Sequence, residues 1–336
     1  MNKYLLFFSL AAVVSGCAKS IDEDADNTEK KLLRAYVEMQ AQAGVQYDST
    51  ASGLYYRFPE GRKAGGESPS DTDFLYVNYT MYDLKGNIAT SQYNQSEVAK
   101  QLGVFSASTY YGPRLWRVGK SALTGGLEEA LHMMKEGEKM RVLIPSWLSA
   151  ISGSDTRQYS ATTMFDIELL RVVPDIRLFE TDTLHKFSVR HYNGIDSVKK
   201  DWYYTELQPG DASETVASIG DTLKVRYVGY LLDGFVFDTN IADSASYHKI
   251  YNSSNDYATL AVVYQEATDT DGSGDAEGTM DVVDGFKYAL QQMKPGSEAV
   301  TFFSSDYGYK AAGSGQIPAY APLRFYIKLE GIGRKQ

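Results

Sequence analysis

The chain has 336 residues, of which 43% are hydrophobic and 13% aromatic, and its formal charge at pH 7 is −10. This length suffices for two domains with separate cores, and the aromatic content is too high for a disordered chain. The negative charge disfavours nucleic acid as a partner, and the single Cys excludes a disulfide framework and a cysteine zinc site.

The first segment has the pattern of a secretory signal. Lys3 precedes an apolar run over residues 4–14, which is too short to cross a bilayer as a helix. The run ends in Val14-Ser15-Gly16-Cys17, which resembles the lipobox of bacterial lipoproteins. That resemblance implies a signal peptide over residues 1–16 and lipidation of Cys17, so that acyl chains hold the protein at a membrane. An ordinary signal peptide that contains a Cys is the alternative.

Residues 17–27 are polar and acidic, and we interpret them as a solvated tether. Acidic residues directly after a lipid-bearing Cys also resemble the surface-export signal of Bacteroidota lipoproteins. We therefore predict a protein of the cell envelope, lipid-anchored to the outer membrane. Periplasmic and surface-exposed orientations both stay open.

The remaining chain repeats one order of elements. Each half is predicted to open with a helix, because apolar residues recur there at helical spacing. In the first half these residues are Leu32, Tyr36, Met39 and Ala43, with Asn27 as the N-cap and Gly44 at the end of the helix. In the second half they are Ile176, Phe179, Leu184 and Phe187, and the helix ends at Gly194. The later elements pair as strands 52–56 and 201–204, strand–turn–strand units 75–86 and 223–234, short helices 126–137 and 285–296, strands 140–144 and 299–303, and last strands 164–172 and 323–332. One helix across a curved antiparallel sheet predicts an α+β domain, present twice.

Five motifs follow one another in the second half. They are Val225-Arg226-Tyr227, Asp233-Gly234-Phe235-Val236-Phe237-Asp238-Thr239, Val282-Val283-Asp284-Gly285-Phe286, Asp306-Tyr307-Gly308-Tyr309 followed by Ile317-Pro318, and Leu323-Arg324-Phe325. In this order and spacing they resemble the FKBP-type peptidyl-prolyl cis-trans isomerases over residues 214–334. Residues 67–173 resemble a decayed copy of the same domain.

The resemblance implies two FKBP-like domains, each a curved antiparallel sheet wrapped on one short helix and each preceded by an N-terminal helix. The predicted domains are residues 28–173 for the degenerate copy with its leading helix, 174–213 for the next helix and a linker strand, and 214–336 for the isomerase domain.

The resemblance also implies a proline pocket in the second domain. Asp238 and Tyr309 would be the polar pair beside the substrate carbonyls, and Phe286 would be the floor, where the best-known members have Trp. The walls would be Tyr227, Phe237, Val282, Val283, Ile317 and Phe325. Each of these residues alone would more often be an ordinary core or turn residue, and their joint order favours the site.

The implied function is peptidyl-prolyl cis-trans isomerisation during the folding of secreted or envelope proteins, with proline-containing polypeptides as clients. The implied chemistry requires no cofactor and no metal. Two features depart from the family: Phe286 is smaller than Trp, and residues 240–280 form an unusually long connection that could cover the pocket or extend it for a folded client. A non-catalytic peptide-binding lipoprotein is therefore the alternative function.

The first copy lacks the residues of the pocket. Val77-Asn78-Tyr79 matches the opening strand, but Ala89 and Thr90 stand at the Phe-Asp positions, Leu127 at the floor and Ala150 near the loop tyrosine. No Ile-Pro occurs over residues 152–160. We predict that this domain is inactive and serves structure or client binding. For the aromatic residues of its insertion, packing onto the sheet is favoured over a contact surface; these residues are Tyr93, Phe105, Tyr110 and Tyr111.

An acidic loop over residues 269–280 resembles the start of a calcium loop, but Met280 stands where the bidentate Glu belongs. A solvated loop is the favoured interpretation, and a weak calcium site stays a minor hypothesis. The four His, at positions 132, 185, 191 and 248, lack ligand spacing and are predicted to be surface or helix residues.

Overall fold

The computed structural model describes residues 17–88, 93–119, 123–151, 153–264 and 282–335, with side chains from residue 25 onward. Contacts between Cα atoms divide the chain into two compact units. The first unit comprises Met1–Pro69, Tyr79–Gln92 and Val118–Glu168, and the second comprises Ser70–Asn78, Tyr93–Arg117 and Leu169–Gln336. This grouping differs from the predicted division at residues 173 and 214, because residues 70–78, 93–117 and 169–213 belong to the second unit.

The elements of the two halves follow one another in nearly the predicted order. Up to residue 173 they are α1 (Cys17–Gln42), β1 (Asp48–Ser49), β2 (Tyr55–Arg57), β3 (Phe74–Asp83), α2 (Ser96–Gln101), β4 (Arg114–Arg117), α3 (Gly125–His132), β5 (Lys139–Ile144) and β6 (Thr163–Val173). After residue 173 they are α4 (Ile176–His191), β7 (Trp202–Gln208), β8 (Thr222–Leu231), β9 (Val236–Thr239), α5 (Ala242–Tyr247), β10 (Leu260–Val263), α6 (Asp284–Leu290), β11 (Glu298–Phe303) and β12 (Leu323–Gly333). Short 3-10 turns follow β5 and β11, at Ser146–Leu148 and Ser305–Tyr307.

The strands form two antiparallel sheets with matching neighbours. One sheet has the order β1-β2-β5-β6-β3-β4, and the other has the order β10-β8-β12-β11-β7, with β9 also pairing with β8. Strands β2, β5, β6, β3 and β4 therefore have the same neighbours as β7, β11, β12, β8 and β10. The predicted α+β fold is confirmed.

Alternation of side chains explains why one face of strand β8 is buried. Leu223, Val225 and Tyr227 are buried on one face, whereas Lys224 is exposed and Arg226 is half-buried. β-Branched and aromatic residues suit such a half-buried pleated surface. The helix α6 covers the buried face, and its own buried residues include Phe286 and Leu290.

Helix α1 differs from the prediction at its start and in its buried face. It begins at Cys17 instead of after Asn27, so the predicted tether is helical, and residues 17–27 contain no Gly or Pro that would interrupt it. It ends at Gln42, before Gly44 at φ +84°, as expected. Leu33 is 2% exposed and packs on Leu143, whereas the predicted core residue Leu32 is 63% exposed. A shift of one residue turns a helix face by about 100°, and the adjacent leucines left this choice open.

The remaining helices end earlier than predicted. Helix α4 begins after Asp175, whose Oδ1 accepts hydrogen bonds from the backbone N–H groups of Arg177 and Leu178 at 2.9 and 3.1 Å. It ends at His191, before Gly194. Helices α3 and α6 stop at His132 and Leu290, because the last residues of each predicted helix form the turn into the next strand.

Trp202 links the linker strand β7 to helix α6. Its side chain is fully buried, and its Nε1–H donates to the carbonyl oxygen of Gly285 at 2.9 Å. A buried indole N–H requires such a partner. The start of α6, which carries Phe286, is thereby fixed against the sheet.

Candidate functional site

A small cavity lies beside helix α6 in the second unit and has a volume of about 100 Å3. It is smaller than the roughly 300–1,000 Å3 of sites for drug-sized ligands, and it suits one small ring. Its lining contains every residue of the predicted proline pocket except Ile317, and it contains one residue that was not predicted. The lining residues are Tyr227, Phe237, Asp238, Leu260, Val282, Val283, Phe286, Tyr309 and Phe325.

Aromatic rings in edge-to-face contact build the walls of this aromatic cavity. Phe286, which is 2% exposed, has its ring centroid 5.1 Å from that of Phe325 and 5.8 Å from that of Tyr227. Phe237 meets Phe325 at 5.6 Å, with an interplanar angle of 83°. Such contacts are favourable because the positive edge of one ring faces the negative face of the next. Phe286, the predicted floor residue, therefore lies in contact with two of the predicted wall residues.

Gly229 makes the approach of these rings possible, although the sequence analysis did not assign it a role. A Cβ atom on Gly229 would lie 2.5 Å from Phe237 Cε2 and 3.0 Å from Phe325 Cε1. Gly229 lies inside strand β8, where a glycine weakens the strand and often marks a close approach. This departure from strand propensity is a signal that sequence reasoning could have used.

The polar side of the cavity is a hydrogen-bonded pair that the sequence did not predict. Tyr227 Oη donates to Asp238 Oδ2 at 2.5 Å, so Tyr227 is more than an apolar wall. Burial raises the pKa of Tyr227 far above its ordinary value, and the hydrogen bond to Asp238 raises this pKa further. The phenol therefore stays protonated and holds the Asp238 carboxylate in one orientation. Asp238 is exposed at the rim, where its carboxylate can accept a hydrogen bond from outside the cavity.

Tyr309 lies at the same cavity and is half-buried. It follows the 3-10 turn Ser305–Tyr307 and precedes strand β12. Ile317 is buried in the same core cluster but is not among the lining residues. A tight turn holds it, in which the N–H of Ile317 donates to the carbonyl oxygen of Ser314 at 2.8 Å. Ile317 was predicted as a wall of the cavity, but in the structure it does not line the cavity.

The described part of the connection 240–280 contributes to the cavity. Leu260 of β10 lines it, and β10 pairs with β8 next to the pocket. Asn240 fixes the start of this segment: its Oδ1 accepts from the N–H of Tyr227 at 2.8 Å, and its Nδ2 donates to the carbonyl oxygens of Val225 and Ala258 at 2.9 and 3.1 Å. Sequence reasoning missed both residues, because they lie in a segment without a family motif.

A similar Asn occurs in the other half of the sequence. Asn94 is buried, and its Nδ2 donates to the carbonyl oxygens of Val77 and Gly112 at 2.9 and 3.1 Å. If Asn94 corresponds to Asn240, then Phe237 and Asp238 correspond to Ser91 and Gln92. The predicted counterparts Ala89 and Thr90, like Ser91 and Gln92, lie outside the described residues. Neither pair supplies an aromatic ring or a carboxylate.

The corresponding site of the first unit has a different set of side chains. Leu127 of α3 is buried at the floor position, and Ala150 lies in the loop after β5. Tyr159 is half-buried, its ring centroid is 6.2 Å from that of Phe165, and burial together with nearby Tyr79 raises the pKa of Tyr159. A tyrosine from the loop thus packs beside the position that matches Phe325.

The aromatic residues of the insertion 92–112 are mostly packed. Tyr93 and Tyr110 are buried, whereas Phe105 is 47% exposed. Tyr110 meets Phe235 at a ring-centroid distance of 5.2 Å, and its N–H donates to Gln316 Oε1 at 2.8 Å. Packing was the favoured prediction, and the second unit supplies the partners of Tyr110.

Two other kinds of candidate site, a larger cavity and metal-binding clusters, were also considered from the structure. A larger cavity of about 560 Å3 in the second unit is lined by parts of α4 and by residues 318–322, away from Asp238 and Tyr309. Within the described ranges, no group of three or more His, Cys, Asp or Glu side chains is placed to hold a metal ion. The acidic loop 269–280 lies outside those ranges. His132, His185 and His191 are exposed helix residues, and His248 follows α5.

The membrane anchor is supported by the sequence alone. A model of the prokaryotic membrane lipoprotein lipid attachment site matches residues 1–18. The side chain of the predicted lipidation residue Cys17 is outside the described side chains. Among the helices that the structure describes, none is both long and apolar enough to cross a membrane.

Sequence and structure comparisons find related proteins for large parts of this chain. FkpA of Escherichia coli (strain K12), an FKBP-type peptidyl-prolyl cis-trans isomerase, is 28% identical over 165 residues, which are 49% of this chain and 53% of FkpA. The human peptidyl-prolyl cis-trans isomerase FKBP9 is 25% identical over 259 residues, which are 76% of this chain and 34% of FKBP9. The crystal structure of the three FKBP domains of wheat FKBP73 has a TM-score of 0.31 at 15% identity and covers 85% of this chain and 97% of its own. The matches thus span about half or less of the length of these two curated relatives.

A family model matches both halves of the chain. The model of the FKBP-type peptidyl-prolyl cis-trans isomerases matches residues 65–170 and 265–330, which together make up just over half of the chain. The second range includes Phe286, Tyr309 and Phe325 of the aromatic cavity. The chain therefore belongs to the FKBP-type peptidyl-prolyl cis-trans isomerase family.

Proposed function

We propose that the C-terminal domain, residues 214–336, catalyses cis-trans isomerisation of X-Pro bonds in polypeptide clients. The observation that carries this proposal is the aromatic cavity, in which Tyr227, Phe237, Phe286 and Phe325 surround a space the size of one small ring. Family membership supports the reaction type. Asp238 and Tyr309 are the proposed polar residues of the site.

The geometry suits the physics of the reaction. Rotation about a peptide bond faces a barrier of about 18–20 kcal/mol, because amide resonance must be broken. The planar amide is strongly polar and the twisted transition state is less so, so an apolar and water-poor cavity disfavours the ground state more than the transition state. Aromatic walls select the pyrrolidine ring. This reaction needs no nucleophile and no proton transfer.

The polar residues would hold the client backbone while the bond rotates. The hydroxyl group of Tyr309 can donate to a carbonyl oxygen, and the Asp238 carboxylate, oriented by Tyr227 Oη, can accept an N–H. Fixing one side of the bond leaves the other side free to turn. We propose that these two contacts define the direction in which the client chain enters the cavity.

The test uses the full chain and a peptide whose cis-trans isomerisation about one X-Pro bond is followed directly. We expect the wild type to accelerate the reaction, Asp238→Ala and Tyr309→Phe to reduce kcat/KM, and Leu127→Ala in the first unit to leave it unchanged. Equal kcat/KM for the wild type, Asp238→Ala and Tyr309→Phe would contradict catalysis at this cavity.

The second candidate function is peptide binding without turnover. The observation that favours it is the first copy, where Leu127, Ala150 and Tyr159 replace the residues of the aromatic cavity while the strand order is kept. We propose that residues 28–173 form this inactive domain of a tandem repeat and serve structure or client binding. A proline peptide that binds the full chain without a change in its isomerisation rate would favour this function for the second domain as well.

We further propose that a lipid on Cys17 anchors the protein to the outer membrane, where it would assist folding of envelope or secreted proteins. The match to the lipid attachment site supports the anchor. Substitution Cys17→Ala should move the protein from the membrane fraction to the soluble fraction. Protease digestion of intact cells then separates a surface-exposed from a periplasmic protein, since only the former is cut.

A further inference from the structure

The helix that leads each half presents a glutamate to the first serine of a 3-10 turn. In the first unit, Glu29 of α1 accepts from the N–H and Oγ of Ser146 at 2.9 and 2.5 Å. In the second unit, Glu180 of α4 accepts from the N–H and Oγ of Ser305 at 2.9 and 2.6 Å. Each contact spans more than 100 residues of sequence, and both use the same donor atoms. We call these two contacts the glutamate–serine clamps.

In the second unit, the clamp extends to the residues on both sides of Tyr309. The carbonyl oxygen of Ser305 accepts from the N–H of Gly308 at 2.9 Å and from the N–H of Lys310 at 3.0 Å. Tyr309 therefore lies between two residues that are tied to one carbonyl group. The N–H and Oγ of the same serine are held by Glu180, which is 4% exposed. A buried carboxyl group with two donors fixes its partner more firmly than a solvated one.

We propose that Glu180 is a positioning residue for the isomerase site, because it fixes residues 305–310 and thereby holds Tyr309 at the aromatic cavity. The inference rests on the proposed function of that cavity. The clamp of the first unit provides an internal comparison. Glu29 accepts from the same two atoms of Ser146, and in addition from Thr162 Oγ1 at 2.6 Å, but the following loop carries Ala150 near the position of the loop tyrosine. Glu29 should therefore matter for stability alone.

The experiment compares the full-length wild type with Glu180→Ala, Glu180→Gln, Tyr309→Phe and the double variant Glu180→Ala/Tyr309→Phe. Glu29→Ala is the matched control. Two quantities are measured, which are kcat/KM on a peptide with one X-Pro bond and hydrogen exchange of the amides in residues 304–311. The exchange experiment does not depend on turnover.

We expect Glu180→Ala to lower kcat/KM about tenfold and to speed exchange at Gly308 and Lys310, because loss of a positioning contact acts on geometry. Glu180→Gln should recover part of both, since its amide oxygen still accepts one hydrogen bond. In the Tyr309→Phe background, Glu180→Ala should cause little further loss. Glu29→Ala should leave both quantities unchanged, although it lowers the melting temperature.

Two results would overturn the inference. One is a general effect on stability. It would appear as the same fold-loss of kcat/KM from Glu180→Ala in the wild type and in the Tyr309→Phe background, or as the same loss from Glu29→Ala. The other is unchanged exchange at Gly308 and Lys310. If Glu180→Ala does not fold, Glu180→Gln and Ser305→Ala carry the same comparison. If the wild type lacks turnover, the proposed function fails, and the exchange data still decide whether Glu180 holds the loop.

Discussion

Helices α3 and α6 lie at equivalent places in two sheets with the same strand order, but their surroundings differ in one respect. Around α6, Phe286 meets the rings of Tyr227 and Phe325 edge-on and leaves a cavity of about 100 Å3. Around α3, Leu127 stands at the floor, and Tyr159 packs beside Phe165. The same strand order is thus compatible with two different sets of side chains beside the helix.

The largest expected effect comes from closing the cavity of the second unit. Gly229→Ala should lower kcat/KM at least about 100-fold and destabilise the fold by about 1–3 kcal/mol, because its Cβ overlaps Phe237. Gly331→Ala on β12 is the control, since a Cβ there meets no atom within 4 Å. Isomerisation assays and denaturant unfolding check both values. Retained activity in Gly229→Ala would show that Phe237 is not part of the site.

A second test uses the carboxyl group of Glu180. The pKa of this carboxyl group is raised from 4.5 to about 7, chiefly by burial and also by the nearby carboxylates of Asp306 and Asp201, although the hydrogen bonds from Ser305 oppose the shift. Two further polar groups face this region. Arg177 on the same helix forms an ion pair with Asp306 at 2.7 Å, and Tyr76 is close enough to interact electrostatically with Glu180. The folded state therefore binds a proton more tightly than the unfolded state does.

The sign of the pH effect follows from this difference. The contribution of Glu180 to stability is fully present below about pH 4.5 and is lost as the pH rises through about 7. Relative to Glu180→Gln, the wild type should lose up to about 3 kcal/mol between pH 5 and pH 8. Denaturant unfolding at several pH values measures this, with Thr181→Ala as control for a substitution on the same helix. Parallel pH profiles of the wild type and Glu180→Gln would contradict the prediction.

A third test compares the two buried asparagines. Asn240→Ala and Asn94→Ala should each cost about 2 kcal/mol, because each leaves buried backbone carbonyl groups without a donor. Only Asn240→Ala should also lower kcat/KM, since Asn240 Oδ1 holds the N–H of Tyr227 at the cavity. Equal activity of the two variants would separate Asn240 from the site.

The smallest expected effect comes from exchanging the two floor residues. Phe286→Leu should lower kcat/KM about tenfold, or about 1.4 kcal/mol, because it removes the edge-to-face contacts with Tyr227 and Phe325. Leu127→Phe should not create activity in a chain in which Asp238→Ala has removed that of the second unit, since the first copy also lacks the polar pair. Turnover by the double variant Leu127→Phe/Asp238→Ala would contradict the prediction that the first copy is inactive.

Strand β8 could be predicted from the alternation of Val225 and Tyr227, because such a pattern is local. The cavity residues Phe237, Phe286 and Phe325 were indicated by the resemblance of five ordered motifs to the family, and no local pattern would have grouped them. The face of α1 could not be decided in the same way, because Leu32 and Leu33 are adjacent and only the sheet selects Leu33.

The residues that were missed make contacts across the chain. Glu180 meets Ser305, and Leu260 reaches the cavity through the pairing of β10 with β8. The hydrogen bond from Tyr227 to Asp238 needs the register of β8 against β9, which a bulge between Gly229 and Tyr230 shifts. None of these contacts leaves a periodic pattern or a motif in the sequence.

The indole of Trp202, buried against Gly285, gives the second unit an intrinsic optical reporter. The sequence has three tryptophans, of which Trp116 also belongs to the second unit and Trp147 belongs to the first. Trp202 donates its N–H to Gly285, the residue before Phe286, so its fluorescence emission should depend on the position of Phe286. A peptide ring that enters the cavity should therefore change the fluorescence without any added label, and replacing Trp116 and Trp147 by Phe would isolate that signal.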